Sequence, residues 1–218
     1  MSIGKNGVVQ APIFYENSSG STYTVVGNLT NNNGVLSGFS ASNYIQTSTI
    51  DLSTANNWDI IYKLKYSQLN GYQVPFASDY SVMLGFNNNK VYYGIGQGSS
   101  WNIVSLHTYN DYTFEDNNDY FFKISFTGAS YSLSYSLDGN TYILAVTDNS
   151  TSKVASVSSY RFGDGRVLGT PFKGSLDLPS ITFRVENKVV WLGLDAYLQN
   201  DKAKIGKNFI ASKSFYEI

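Results

Sequence analysis

Apolar and polar residues alternate with a period of two along most of this chain, and the alternation confines it to a β architecture. From Trp58 to Tyr66, the residues Trp58, Ile60, Tyr62, Leu64 and Tyr66 share one parity while Asp59, Lys63 and Lys65 hold the other. That is the pattern of a strand with one buried face. The run Tyr120 to Phe126 sets Tyr120, Phe122, Ile124 and Phe126 against Phe121, Lys123 and Ser125. Alternation is strictest in YSLSYSL, which assigns Tyr131, Leu133, Tyr135 and Leu137 to one face and Ser132, Ser134 and Ser136 to the other. Asp138-Gly139-Asn140 follows, then Tyr142, Leu144 and Val146 at alternate positions. A strand, a turn that tolerates positive φ and a returning strand make a hairpin.

Further strands are predicted at Tyr23 to Thr30, Val35 to Phe39, Asn43 to Ser48, Val82 to Phe86, Lys90 to Ile95, Trp101 to His107, Tyr160 to Gly163, Phe172 to Asp177, Ile181 to Glu186 and Lys188 to Leu192. Asn33-Gly34, Asn87-Asn88-Asn89 and Glu186-Asn187 supply turns between them. Helical spacing is nearly absent, and only residues 196–204 read as a short turn of helix. About twelve to fourteen short antiparallel strands predict an all-β fold, a two-sheet jelly-roll sandwich. All-β sandwiches of about 200–250 residues commonly form one domain, so the 218 residues are expected to form one.

Composition removes several function classes. Lys and Arg number 15 against 16 Asp and Glu, a net charge of −1, so no basic stripe exists to release counterions from phosphates. Nucleic acid and anionic membranes are not expected partners. There is no Cys and one His, which excludes disulfides, thiolate metal sites and multi-histidine metal sites. The 18 Tyr, 13 Phe and 3 Trp supply a core that disordered chains lack. With 22 Asn and 29 Ser, the surface is neutral and rich in hydrogen-bonding groups, which suits glycan contact, packing within an assembly or simple solubility alike. MSIGKNGVVQAP has no basic segment followed by an apolar one, and no apolar run reaches about 18 residues, so a soluble chain without a secretion signal is expected.

The two ends resemble each other. IGKNGVVQAPIFYE at residues 3–16 and IGKNFIASKSFYE at 205–217 share IGKN and FYE in order. The expected organisation is a connecting or assembly segment at 1–19, a jelly-roll domain at 20–195 and a second connecting segment at 196–218.

Catalytic chemistry finds little material. Only Glu16, Glu115, Glu186 and Glu217 are glutamates, and the chain has no Glu-x-Asp-x-Glu run to place two carboxylates across a glycosidic bond. The segment NDYTFEDNNDY gathers Asp111, Asp116 and Asp119 beside Glu115. It reads as a solvated loop or, since its donors are hard oxygens, as a calcium site on those three aspartates. His107 lies in a predicted strand with no nucleophile elbow in the chain and reads as a packing or surface residue. Gly94-Ile95-Gly96-Gln97-Gly98 lacks the Gly-Lys-Ser/Thr of a phosphate loop and reads as a hairpin turn. Aromatic side chains remain, because a sugar ring stacks its C–H face on Trp or Tyr. Trp101 at a strand edge, Tyr92 with parity opposite to Val91, Tyr93 and Ile95, and the loop residues Tyr109 and Tyr112 are the candidate carbohydrate contacts. The positions of Trp101 and Tyr92 allow exposure, and all four read equally as ordinary core or rim residues of the sandwich.

The order GFSASNYIQT, WDIIYKLKY, DYFFKISFTGASYSLSYSLDGNTY, YRFGDGR and PFKGSLDL resembles the concanavalin A-like lectin/glucanase superfamily in its laminin-G-like form. The closing G-x-[ILV]-D segment of that pattern corresponds to Gly174-Ser175-Leu176-Asp177, and the resemblance spans residues 23–192. The flanking FYEI resembles connecting segments of bacteriophage tail and fibre proteins. The resemblance implies a non-enzymatic virion structural protein (tail, fibre or capsid decoration), found in the virion and assembled in the host cytoplasm. Its expected partners are other virion proteins, copies of itself in a homo-oligomer such as a trimer, and a host-surface glycan for attachment. The acidic strand motif of hydrolytic members is missing, so no enzyme is expected; calcium occurs in many members, without a ligand set that transfers to this chain. Two other readings stand beside it: a decoration or adaptor protein without ligand, and a glycan-hydrolysing or glycan-binding module of a polysaccharide-degrading system built on the 111–119 cluster.

Overall fold

The computed structural model describes residues 22–67, 71–164 and 170–193. The two ends with their shared IGKN and FYE, the connecting segments and the 196–204 turn lie outside the described residues. Two antiparallel sheets make a jelly-roll sandwich. The first is ordered β1 (Tyr23–Val26), β4 (Tyr44–Thr47), β13 (Arg161–Phe162), β6 (Tyr72–Ala77), β7 (Val82–Asn87), β8 (Lys90–Ile95) and β9 (Val104–Tyr109). The second is ordered β12 (Ile143–Asn149), β11 (Ser130–Ser136), β10 (Asp119–Phe126), β5 (Trp58–Tyr66), β14 (Gly174–Val185), β3 (Val35–Ser37) and β2 (Thr30–Asn32), with β15 (Lys188–Leu192) also paired to β14.

The core is the meeting of the two inward parities. Ile60, Tyr62, Leu64 and Tyr66 of β5 and Phe122 and Ile124 of β10 face Phe76, Leu84, Phe86 and Tyr93 of the first sheet, all buried. The Phe76 ring binds the layers together, with centroids 5.6 Å from Tyr62, 4.8 Å from Phe162 and 5.6 Å from Tyr160, inside the favourable range for aromatic pairs. The predicted turns form as left-handed pairs: Asn33 and Gly34 (φ 50 and 87), Asn88 and Asn89 (φ 47 and 66), Glu186 and Asn187 (φ 49 and 64). Such pairs match the twist of a tight hairpin. Glu186 is an unusual residue there, and its carboxylate accepts bonds from Asn56 N at 2.6 Å and Asn57 Nδ2 at 2.7 Å.

Several expectations need correction. β6 was not predicted, because Pro75 demotes a run to a non-strand. A register shift between Gln73 and Phe76 takes Pro75 out of the ladder with β7. The two strands expected at Phe172 to Asp177 and Ile181 to Glu186 are one, Gly174–Val185, with a bulge between Asp177 and Thr182. Tyr23 to Thr30 breaks at Gly27 (φ 72), where a Cβ would sit 2.1 Å from Asn43 Oδ1. The strand expected from Trp101 begins at Val104. In the central hairpin the face of the returning strand is reversed. Leu133 pairs with Val146, but Ser134 then pairs with Leu144, so the bulge turns Leu144 onto the serine face. Leu144 and Leu137 are 59% and 58% exposed.

Candidate functional site

The outward face of the first sheet carries an unusual second apolar layer. On β7 and β8 the inward residues are Val82, Leu84, Phe86, Val91, Tyr93 and Ile95, so Met83, Gly85, Tyr92 and Gly94 point the other way. There Val74, Ala77, Met83 and Tyr92 form a buried cluster against which Trp101 packs. Two glycines form its floor. A Cβ on Gly85 would come 2.3 Å from Tyr92 Cζ, and one on Gly94 would come 3.1 Å from Trp101 Cε3. Each ring thus lies on a strand glycine, which is where a strand interior permits close approach. Tyr72, 59% exposed, meets Tyr92 edge to face at 6.1 Å, and Tyr80 stands 5.2 Å from Trp101.

Strand pairing extends this face into polar ground. Gln46 pairs with Arg161, Arg161 with Ala77, Ala77 with Met83 and Met83 with Gly94, one row across five strands. The Arg161 guanidinium sits 4.2 Å from the centre of the Tyr44 ring and 3.5 Å from Asp164 Oδ2. Asp164 is buried, and burial, only partly offset by Arg161, raises its carboxyl above the usual range. Asp164 Oδ1, Arg161 Nε and the Tyr92 hydroxyl are buried without hydrogen-bond partners. Burial first, then Tyr72, pushes the Tyr92 phenol up to about 12. The face therefore sets aromatic rings in one sheet with a largely buried Arg161–Asp164 pair.

The four aromatic candidates separate into two pairs. Tyr92 and Trp101 meet on the outward face, and Tyr92, 3% exposed, follows the packing reading because its ring folds down onto Gly85. Tyr109 and Tyr112 lie elsewhere, on the rim of the main core, where Tyr112 stands 4.8 Å from both Phe114 and Tyr135 and Tyr109 stands 6.1 Å from Tyr135. Lys90 Nζ pins their loop by donating to Asn110 O at 2.7 Å and Tyr112 O at 3.2 Å. Tyr72, Tyr80, Arg161 and Asp164 were missed; Gly94, sharing Tyr92's parity inside its strand, was the available signal.

The acidic segment does not gather. Asp119 opens β10 and pairs with Lys63 at 2.9 Å, while Asp111 and Asp116 are exposed in the preceding loop. Among the described residues no three of His, Cys, Asp or Glu are grouped to hold a metal ion, which corrects the reading of Asp111, Asp116 and Asp119 as a joint calcium site. His107 Nδ1 lies 2.9 Å from Asp148 and its ring stacks on Tyr93 at 6.3 Å, with the Tyr93 hydroxyl donating to the same carboxylate. It joins the sheet edges β9 and β12.

No protein-family model matches the chain, and no curated protein does. Solved structures do. Botulinum neurotoxin type C, dependent on interaction with two ganglioside molecules to get into cells, matches with a TM-score of 0.54 at 11% identity over 83% of this chain and 46% of its own. The exoplasmic/lumenal domain of VIP36 in metal-free form matches at 0.52 and 10% identity, over 77% and 88%. The enzymatically active domain of bacteriophage CBA120 tailspike protein 2 matches at 0.54 and 11%, over 79% and 32%. The chain thus spans most of the VIP36 domain, under half of the toxin chain and about a third of the tailspike chain. These likenesses establish the fold, a two-sheet jelly-roll sandwich.

Proposed function

We propose that this jelly roll is a non-enzymatic component of a bacteriophage virion, in its tail, fibre or capsid decoration, that holds a host-surface glycan on the outward face of the first sheet. The observation that carries the glycan reading is the pair of aromatic rings seated on Gly85 and Gly94 beside exposed Tyr72. In this reading Trp101 and Tyr72 stack on sugar rings. The tailspike likeness supports the phage context. Partners are other virion proteins and further copies of the chain, as in a trimeric fibre.

Binding to a glycan array and to host-wall polysaccharide tests it. Trp101→Ala and Tyr72→Ala should each weaken binding about tenfold, in line with the loss of one stacking contact of about 0.5–1.5 kcal/mol together with its buried area. Unchanged binding in both variants removes the glycan reading. EDTA separates a cation-free face, for which binding is unchanged, from a calcium-assisted one. Release of new reducing ends would establish hydrolysis instead. Mass spectrometry of purified particles tests the virion assignment. The burial of Tyr92 favours a second reading, an adaptor whose outward layer only packs, and total absence of array binding with the chain present in particles would select it.

A further inference from the structure

A separate groove lies at the end of the second sheet. It encloses about 400 Å³ and is open to solvent. Its back is the register row Lys65, Ser175 and Ser37 on β5, β14 and β3. The neighbouring row Leu64, Leu176 and Leu36 is buried in the core, so this row faces out. Its apolar wall is Phe39 against Phe172, with centroids 6.0 Å apart. Asn117, at φ 63 and tied by its N–H to Tyr66 O, closes the side.

Several turn side chains elsewhere are occupied with one another: Asp51 with Ser53, Glu115 with Asn118, Asp138 with Ser136, and Asn31 with Gly34 N. Among the described residues, the side chains of Lys65, Ser37, Ser175 and Asn117 make no hydrogen bond or ion pair. The carboxylate that could neutralise Lys65, its register partner Asp119, is bound to Lys63 at 2.9 Å instead. The lining contains no Asp or Glu.

We propose that this groove binds an anionic saccharide, its carboxylate or phosphate substituent on Lys65 and its hydroxyls on Ser175, Ser37 and Asn117, with a ring face against Phe39 and Phe172. The site is separate from the aromatic face of the first sheet. Titration calorimetry with oligogalacturonate, its neutral methyl ester and poly(glycerol phosphate) tests it. The expected result is that oligogalacturonate or the phosphate polymer binds at least about threefold tighter than the methyl ester, the scale of one exposed charge pair. The stronger of the two identifies the substituent. Lys65→Gln should abolish that preference without lowering Tm, and Trp101→Ala should leave it intact. Equal binding of charged and neutral probes, or a preference that survives Lys65→Gln, overturns the proposal. Loss of the preference in Trp101→Ala alone would move the ligand to the other face and overturns it equally. The aromatic-face reading fails on different variants, so the two are judged independently.

Discussion

Across the first sheet the outward row runs Gln46, Arg161, Ala77, Met83 and Gly94, and its last three positions lie in the buried layer of Tyr92 and Trp101. Across the second the outward row is Asp119, Lys65, Ser175, Ser37 and Thr30, polar from end to end. Both sheets contribute to one core, so the inward faces do not distinguish them. The outward faces do: one is built for close apolar approach, the other for water and ions. The same substitution should therefore have different consequences on the two.

The sharpest contrast comes from truncating an outward apolar residue on each. Met83 is fully buried in its outward layer, and Ile61 on β5 is half-buried among lysines. Met83→Ala should cost about 2–5 kcal/mol and Ile61→Ala about 1 kcal/mol or less, read from urea unfolding midpoints. Equal costs would mean that the outward layer of the first sheet is not packed. Adding one methyl group probes the reverse. Gly85→Ala drives a Cβ to 2.3 Å from the Tyr92 ring and should cost about 1–3 kcal/mol as overpacking. Ser134→Ala, facing out from β11, should stay within about 0.5 kcal/mol.

This contrast also explains what could be read from the chain. β5, β10 and β11 have one solvated face, so their alternation is complete, and β5 was bounded correctly at Trp58 and Tyr66. β6 and β7 are buried almost throughout. A strand buried on both faces loses its period, and with Pro75 inside it β6 became invisible. The hairpin reversal at Leu144 was illegible for another reason, since a bulge is decided by cross-strand register and not by local pattern. Tyr92 was placed on its correct face by parity. Its burial depended on Gly85, one strand away in space and seven residues away in sequence. Lys65 alternates as an ordinary solvated lysine; only pairing reveals that Asp119 is committed to Lys63.

Two carboxylates sharpen the comparison through pH. Asp164, on the first sheet, has its carboxyl raised by burial. A raised folded-state value for an acid means the group favours folding most below the ordinary carboxylate value of about 3.9, and that contribution is lost as pH rises through the raised value. Asp138, in the hairpin of the second sheet, is held low by the N–H groups of Thr141 and Asn140 and by the Ser136 hydroxyl. Its contribution is present above about 3.9 and is lost as pH falls through the lowered value. Asp59 and Asp177 share the sign of Asp164, so single substitutions are needed. Relative to wild type, Asp164→Asn should gain stability from pH 3 to pH 7, and Asp138→Asn should lose it. Parallel profiles from unfolding at several pH values would refute the assignment.

The smallest effect on stability is expected at Asp119, where the two consequences of one charge separate. Its bond to Lys63 is partly exposed, with side chains 27% and 43% accessible, so Asp119→Asn should cost only about 0.2–1 kcal/mol, less at high salt. Lys63 then keeps Asp177 nearby and the ring of Phe121 at 5.6 Å, and the sheet has little reason to rearrange. The groove, however, loses the nearest negative charge to Lys65, its own cross-strand partner. An anionic saccharide should therefore bind Asp119→Asn more tightly than wild type, by about twofold to fivefold on the scale of one exposed pair, while the neutral methyl ester binds unchanged. Stability and affinity thus move in opposite directions on removal of a single carboxylate. A variant that loses both would show that Asp119 positions the groove through β10, and one that changes neither would show that the field of the outward row is already screened at Lys65.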